Sequence, residues 1–157
     1  MLNSNANDVN SEGKVTKYSV GFAFNDMGSD VVLILKNRPR WQKGYYNGVG
    51  GHIEEGESAH AAQAREFKEE TGLETYESNW KKYAIISGPG FELHVFSLFT
   101  QDIYDVKTLT DEKIEILQVG EIQNLNVIQN LKWLIPAAID AQFFDTKLFI
   151  RVTEGLR

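Results

Sequence analysis

The chain has 157 residues, 42% of them hydrophobic and 24% charged, with a formal net charge of −6 and no cysteine. That is the size and composition of one globular domain able to bury a core without disulfides, and it excludes disulfide staples, zinc–thiolate sites and thiol nucleophiles. The acidic balance argues against a groove for long nucleic acid, which needs many phosphate-neutralising Lys and Arg, but not against a small phosphate ligand held through metal ions.

Residues 1–13 are rich in Asn and Ser and nearly free of apolar side chains, and they read as a disordered tail ahead of a single domain over 14–157. No basic-then-apolar leader opens the sequence and no apolar run reaches membrane length, so a cytoplasmic protein without a membrane partner is expected. Tyr18, Val20, Phe22 and Phe24 alternate, which is the strand period. Asp26–Asp30 reads as a turn, and Val31–Leu35 as a second strand of a hairpin. Lys36–Tyr46 reads as a loop. Asn47–Ile53 follows, with Gly48, Gly50 and Gly51 allowing backbone to approach a ligand or another strand closely.

Ser58 is a good N-cap, Ala59–Thr71 is rich in helix formers and Gly72 is a C-terminal stop. Trp80–Ser87 and Phe91–Thr100 read as strands around Gly88-Pro89-Gly90, and Ile114–Val119 as another after a polar loop at Thr108–Lys113. Val127–Phe144 is apolar at helical spacing, with Pro136 either kinking that helix or marking its true first turn. Lys147–Val152 reads as a last short strand. This order of elements predicts an α/β (α+β) domain with a mixed sheet and two main helices.

Glu54, Glu55, Glu57, Glu66, Glu69 and Glu70 lie within 17 positions. On the expected helix, Glu66, Glu69 and Glu70 share one face, where like charges repel by a few tenths of a kcal/mol per pair. Taken alone, such a stretch is an ordinary solvated acidic face. As a set of hard oxygen donors without cysteine, it also suits Mg²⁺, with Mn²⁺ as the alternative.

These carboxylates belong to a longer pattern. Five residues separate Gly51 from Glu57 and seven separate Glu57 from Arg65, which opens Arg65-Glu66-Phe67-Lys68-Glu69-Glu70-Thr71-Gly72-Leu73. This resembles the Nudix hydrolase signature G-x5-E-x7-R-E-U-x-E-E-x-G-U, where U is a bulky apolar residue. Seven fixed positions match by chance at a given site roughly once in 10⁸–10⁹. The resemblance implies the Nudix fold, an α/β/α sandwich around a mixed β-sheet, and metal-dependent hydrolysis of a phosphoanhydride. It implies Gly51, Glu66, Glu69 and Glu70 as metal ligands, and Arg65 as the partner of Glu57 that orients the loop on the helix. The catalytic base in the family is a glutamate of the motif or one on a later loop. That leaves Glu69 and Glu66 on one side and Glu112 on the other, the latter also a candidate ligand.

Tyr46-Asn47-Gly48-Val49-Gly50-Gly51-His52-Ile53 resembles the W-N-x-x-G-G-K-x stretch of the oxidised-purine nucleoside triphosphate pyrophosphohydrolases, in which the asparagine reads the base edge. The resemblance implies a nucleoside triphosphate cut to monophosphate and pyrophosphate, with Asn47 on the base. Two departures leave ordinary and oxidised nucleotides both open: Tyr46 replaces the tryptophan, and Gln129-Asn130-Leu131-Lys132 lacks the paired aspartates that precede Trp133-Leu134-Ile135-Pro136. Phe22, Phe24, Trp41, Tyr46 and Trp133 are candidate stacking partners, most of them expected in the core. Lys36, Arg38, Arg40 and Lys43 form a basic loop that could hold the phosphates. ADP-ribose or another nucleoside diphosphate-sugar is the alternative substrate, with Pro89 as its sequence signal. A non-catalytic nucleotide-binding module is the alternative class, and a calcium module lacks the required Asp/Asn alternation. Monomer and homodimer are both compatible with the sequence.

Overall fold

The computed structural model describes residues 13–144 and 147–155. The expected tail therefore lies outside the described residues except for Gly13. Eight strands form one mixed sheet: β1 (Thr16–Phe24), β2 (Asp30–Leu35), β3 (Tyr46–Asn47), β4 (Val49–His52), β5 (Lys81–Gly88), β6 (Phe91–Phe99), β7 (Lys113–Gln118) and β8 (Ile150–Thr153). The helices are α1 (Ala59–Thr71) and α2 (Leu131–Phe143). The path runs β3-β2-β1-β6-β5-β8, with β4 pairing β1 and β7 pairing β2 off that path. The contact of β1 with β6 is parallel; those of β1 with β2 and β4 are antiparallel. No helix among the described residues is long and apolar enough to cross a membrane.

Each face of the sheet has its own core. Phe22, Phe24, Val31 and Leu33 point to one side and pack with Leu131, Leu134, Ile135 and Ala138 of α2. Ala23, Val32, Ile34 and Phe96 point to the other and pack with Phe67 of α1 and with Trp80. Burying each large side chain contributes about 1.5–3 kcal/mol, so both helices are fixed mainly by these apolar layers. The alternation in β1 predicts one buried face, whereas its last six residues, Ser19 to Phe24, are all buried. The intervening Ser19, Gly21 and Ala23 are small, which lets α1 lie close over them.

Local signals place the helix ends. Ser58 Oγ accepts from the Ala61 amide at 3.1 Å, and Gly72 closes α1 in the left-handed region at φ 77°. Helix α2 begins at Leu131, so Pro136 lies inside it rather than in its first turn. Proline has no N–H to give the carbonyl four residues back; that carbonyl, of Lys132, accepts instead from Gln123 Nε2 at 3.2 Å.

The glycine-rich segment is a strand. Tyr18, Ser19, Val20 and Gly21 of β1 face His52, Gly51, Gly50 and Val49 of β4. A Cβ on Gly50 would lie 2.0 Å from the Ser19 carbonyl oxygen, a position that backbone cannot vacate cheaply. Gly50→Ala is expected to lower the unfolding free energy by about 3 kcal/mol, measured by urea titration, and wild-type stability in that variant would contradict the close pairing.

Candidate active site

Antiparallel pairing of β4 with β1 carries Gly51 under α1, where the carboxylate of Glu66 packs onto it. A Cβ at Gly51 would stand 2.5 Å from Glu66 Oε1. The centre of the assembly is Arg65. Its Nε donates to Glu57 Oε2 at 2.8 Å and its Nη2 to Glu57 Oε1 at 3.0 Å, a forked pair. The same side chain donates to Glu66 Oε1 at 3.0 Å, to Glu69 Oε1 at 3.3 Å and to the His52 carbonyl at 3.0 Å. One guanidinium thus ties the helix to the loop after β4. The bond from Arg65 holds the Glu57 carboxyl below its ordinary range. Burial raises Glu66, outweighing the opposing pull of Arg65.

The other acidic groups are held separately. Thr110 Oγ1 donates to Glu70 at 3.1 Å. Glu112 is buried; it accepts from Lys36 Nζ at 3.0 Å and from the Asn37 amide at 2.6 Å. Burial pushes its pKa up, but these donors prevail and lower it. Arg38 pairs with Asp111. Among the described residues, no three acidic or histidine side chains converge into a metal cage. Of the expected ligands, Glu66 and Glu69 share Arg65, with Glu66 against Gly51, while Glu70 is held by Thr110 and Glu112 by Lys36. The chemistry still fits a hard divalent cation: the donors are oxygens, and the missing Cβ of Gly51 leaves a cradle against Glu66.

Beside this assembly lies a cavity of about 770 Å³, within the range of small-molecule sites. Its polar wall includes Lys36, Arg38, Gly51, Glu70 and Glu112; Tyr18, Phe22, Trp41, Phe91, Leu93 and Leu134 supply the apolar wall, with Asn47 and Asn130 also lining it.

The matching family model is the NUDIX domain, over residues 16–146. The chain belongs to the NUDIX family. It is a Nudix hydrolase. Several solved structures share its fold. A NUDIX hydrolase from Nitrosomonas europaea superposes with TM-score 0.74 at 15% identity, covering 91% of this chain and 80% of that one. A MutT protein from Bacillus halodurans gives 0.67 at 20% identity, covering 90% of each. A MutT structure from work on the Aliivibrio salmonicida and Vibrio cholerae proteins gives 0.67 at 18%, covering 83% of this chain and all of that one. No curated protein matches the sequence significantly.

The Nudix fold brings some expected residues to the cavity and leaves others out. Asn47, Arg38, Phe22 and Trp41 line it. Lys43, Tyr46 and Trp133 do not: Lys43 and Trp133 are exposed, and Tyr46 donates its hydroxyl to Glu115 on β7. Tyr46 reaches Glu115 across β2, which pairs with both β3 and β7, and α2 turns Trp133 to solvent. Phe24 is wholly buried in the core. The sequence reading also passed over Asn130. It is 7% exposed at the start of α2, lines the cavity, and makes no side-chain capping bond. The available signal was an N-cap residue type ahead of an apolar helix, which normally announces a cap.

The Tyr46–Glu115 pair gives a pH signature. Hydrogen bonding to Glu115, with burial, raises the Tyr46 pKa to about 12, and the same bond lowers Glu115. A raised tyrosine contributes stability that is complete below its unfolded value of about 10 and is lost as pH rises toward about 12. A depressed glutamate contributes stability present above about 4.3 and lost as pH falls through its folded value. Tyr46→Phe should flatten both arms of the stability–pH curve measured by thermal melts; unchanged arms would sink the assignment.

Proposed function

We propose that the chain is a metal-dependent pyrophosphohydrolase that cleaves a nucleoside triphosphate to the monophosphate and pyrophosphate. The observation that carries this reading is adjacency: the Arg65-centred carboxylates and the Gly51 cradle stand next to a cavity with both aromatic and amide walls. Glu66, Glu69 and Glu70, with the Gly51 carbonyl, would hold Mg²⁺ or Mn²⁺. When bound, such an ion supplies charge neutralisation on phosphate oxygens and a lowered pKa for water.

The remaining work belongs to the chain. Arg65 holds the loop after β4 against α1 through Glu57 and the His52 carbonyl. Lys36 and Arg38 stand on the polar wall for the phosphate tail. Trp41, partly exposed on the cavity wall, offers a face for stacking a base. Asn47 is partly committed, since its Nδ2 donates to Gln42 Oε1 at 3.1 Å and its Oδ1 accepts from the Gly48 amide at 2.8 Å. Asn130 has both a donor and an acceptor to offer a base edge. A glutamate of α1 is favoured over Glu112 as the base. Glu112 already accepts two strong hydrogen bonds, whereas the Glu69 side chain is 56% exposed.

The test is turnover with Mg²⁺ on a panel of nucleoside triphosphates, oxidised purine triphosphates and ADP-ribose, following released pyrophosphate or phosphate. Metal-dependent release of pyrophosphate from a triphosphate is expected, and preference for ADP-ribose would replace this substrate reading. Glu69→Gln should lower kcat about 10²–10⁴-fold with an unchanged melt, while Glu112→Gln costs far less. The reverse order would move the base to Glu112.

A further inference from the structure

Three buried side chains between α1 and the sheet each leave one polar atom without a partner among the described residues: Ser19 Oγ, Gln63 Oε1 and His94 Nδ1. These residues are 2%, 0% and 8% exposed. Their placement is shared. Ser19 has His94 of β6 as its Cα partner on one side and Gly51 of β4 on the other. Gln63 lies over Gly21, two residues further along the same face of β1; a Cβ on Gly21 would come within 2.1 Å of Gln63 Nε2. Glycine at that point is what admits a glutamine amide under the helix.

We propose that Ser19, Gln63 and His94 enclose one internal water between α1 and the sheet, and that Gln63, fastened by it, is a positioning residue for the contact of Glu66 with Gly51. The hydrogen-bond count closes. Gln63 Nε2 donates to the Val49 carbonyl at 3.0 Å, which fixes the amide orientation and leaves Oε1 as an acceptor. His94 Nε2 lies 2.6 Å from Glu92 Oε1, an acceptor, so the ring proton sits on Nε2 and Nδ1 accepts. Burial, the largest influence, lowers the His94 pKa and favours this neutral ring. Ser19 retains a hydroxyl hydrogen to donate. Two acceptors and one donor are the complement of a single water, and buried waters typically make about three bonds to otherwise unsatisfied groups.

The consequence for the site follows from sequence spacing. Gln63 is one helical turn before Glu66, and Val49 is two residues before Gly51. One tethered amide therefore fixes the height of the helix over the strand at the cradle. The positioning role rests on the metal site proposed above; the water does not.

A crystal structure of the wild-type chain at a resolution that shows ordered solvent should place one water within hydrogen-bonding distance of all three atoms. A dry site, or direct pairing among the three, would overturn the water. Mn²⁺ binding, measured by calorimetry on the nucleotide-free protein, tests the positioning. Gln63→Leu should weaken Kd about tenfold; if that variant fails to fold, Ser19→Ala should weaken it in the same direction. Unaltered affinity in a folded variant would overturn the positioning role. Absence of turnover in wild type with the water present would instead remove the proposed function alone.

Discussion

The guanidinium of Arg65 is the constraint on which the site depends. Three carboxylates of the motif and one backbone carbonyl reach it, from a helix and from the loop before that helix. Without it, Glu66 would stand half-buried beside other acids with nothing to offset them. Breaking a fully buried pair costs about 3–5 kcal/mol; Arg65 has 27% of its side chain exposed, so the cost here is lower, and what matters more is geometry. A planar fork can hold Glu57 by both oxygens while its remaining nitrogen reaches the helix, which an ammonium could not do.

That arrangement needs α1 to approach the sheet closely, and the sheet is built for it. On the face toward α1, β1 presents Ser19, Gly21 and Ala23, and β4 presents Gly51. On the other face, Phe22 and Phe24 meet the apolar side of α2. The polar chemistry therefore lies where small residues of β1 and β4 let α1 approach, beside the second apolar core of Phe67, Trp80 and Phe96. The cavity opens where both sides contribute, with Gly51 and Glu70 from one and Phe22, Ile128 and Leu134 from the other.

Loops bring the remaining groups to that opening. The Asp111–Glu112 turn meets the chain after β2 some 75 residues earlier, because β2 and β7 pair along Asp30–Leu35 and Lys113–Gln118. Glu112 then accepts from the Lys36 ammonium and the Asn37 amide, and orders the basic loop rather than standing free. Likewise α2 starts after an isolated bridge between Tyr46 and Val127, which sets Asn130 against the cavity and Trp133 against solvent.

The sequence by itself determined the elements whose cause is local. Ser58 and Gly72 bound α1, the alternation of β1 and the aliphatic run of β2 gave a hairpin, and the glycine–glutamate–arginine spacing identified the family before any coordinates. These rest on capping, period and fixed spacing, which act within a few residues of chain. Tertiary structure alone decided which polar groups are already taken. That Glu112 is held by Lys36 and that Tyr46 turns to Glu115 depend on partners far away in sequence. The same is true of β4: its glycines allow close approach to a ligand or to another strand, and the fold brings the Ser19 carbonyl to the space where a side chain of residue 50 would stand.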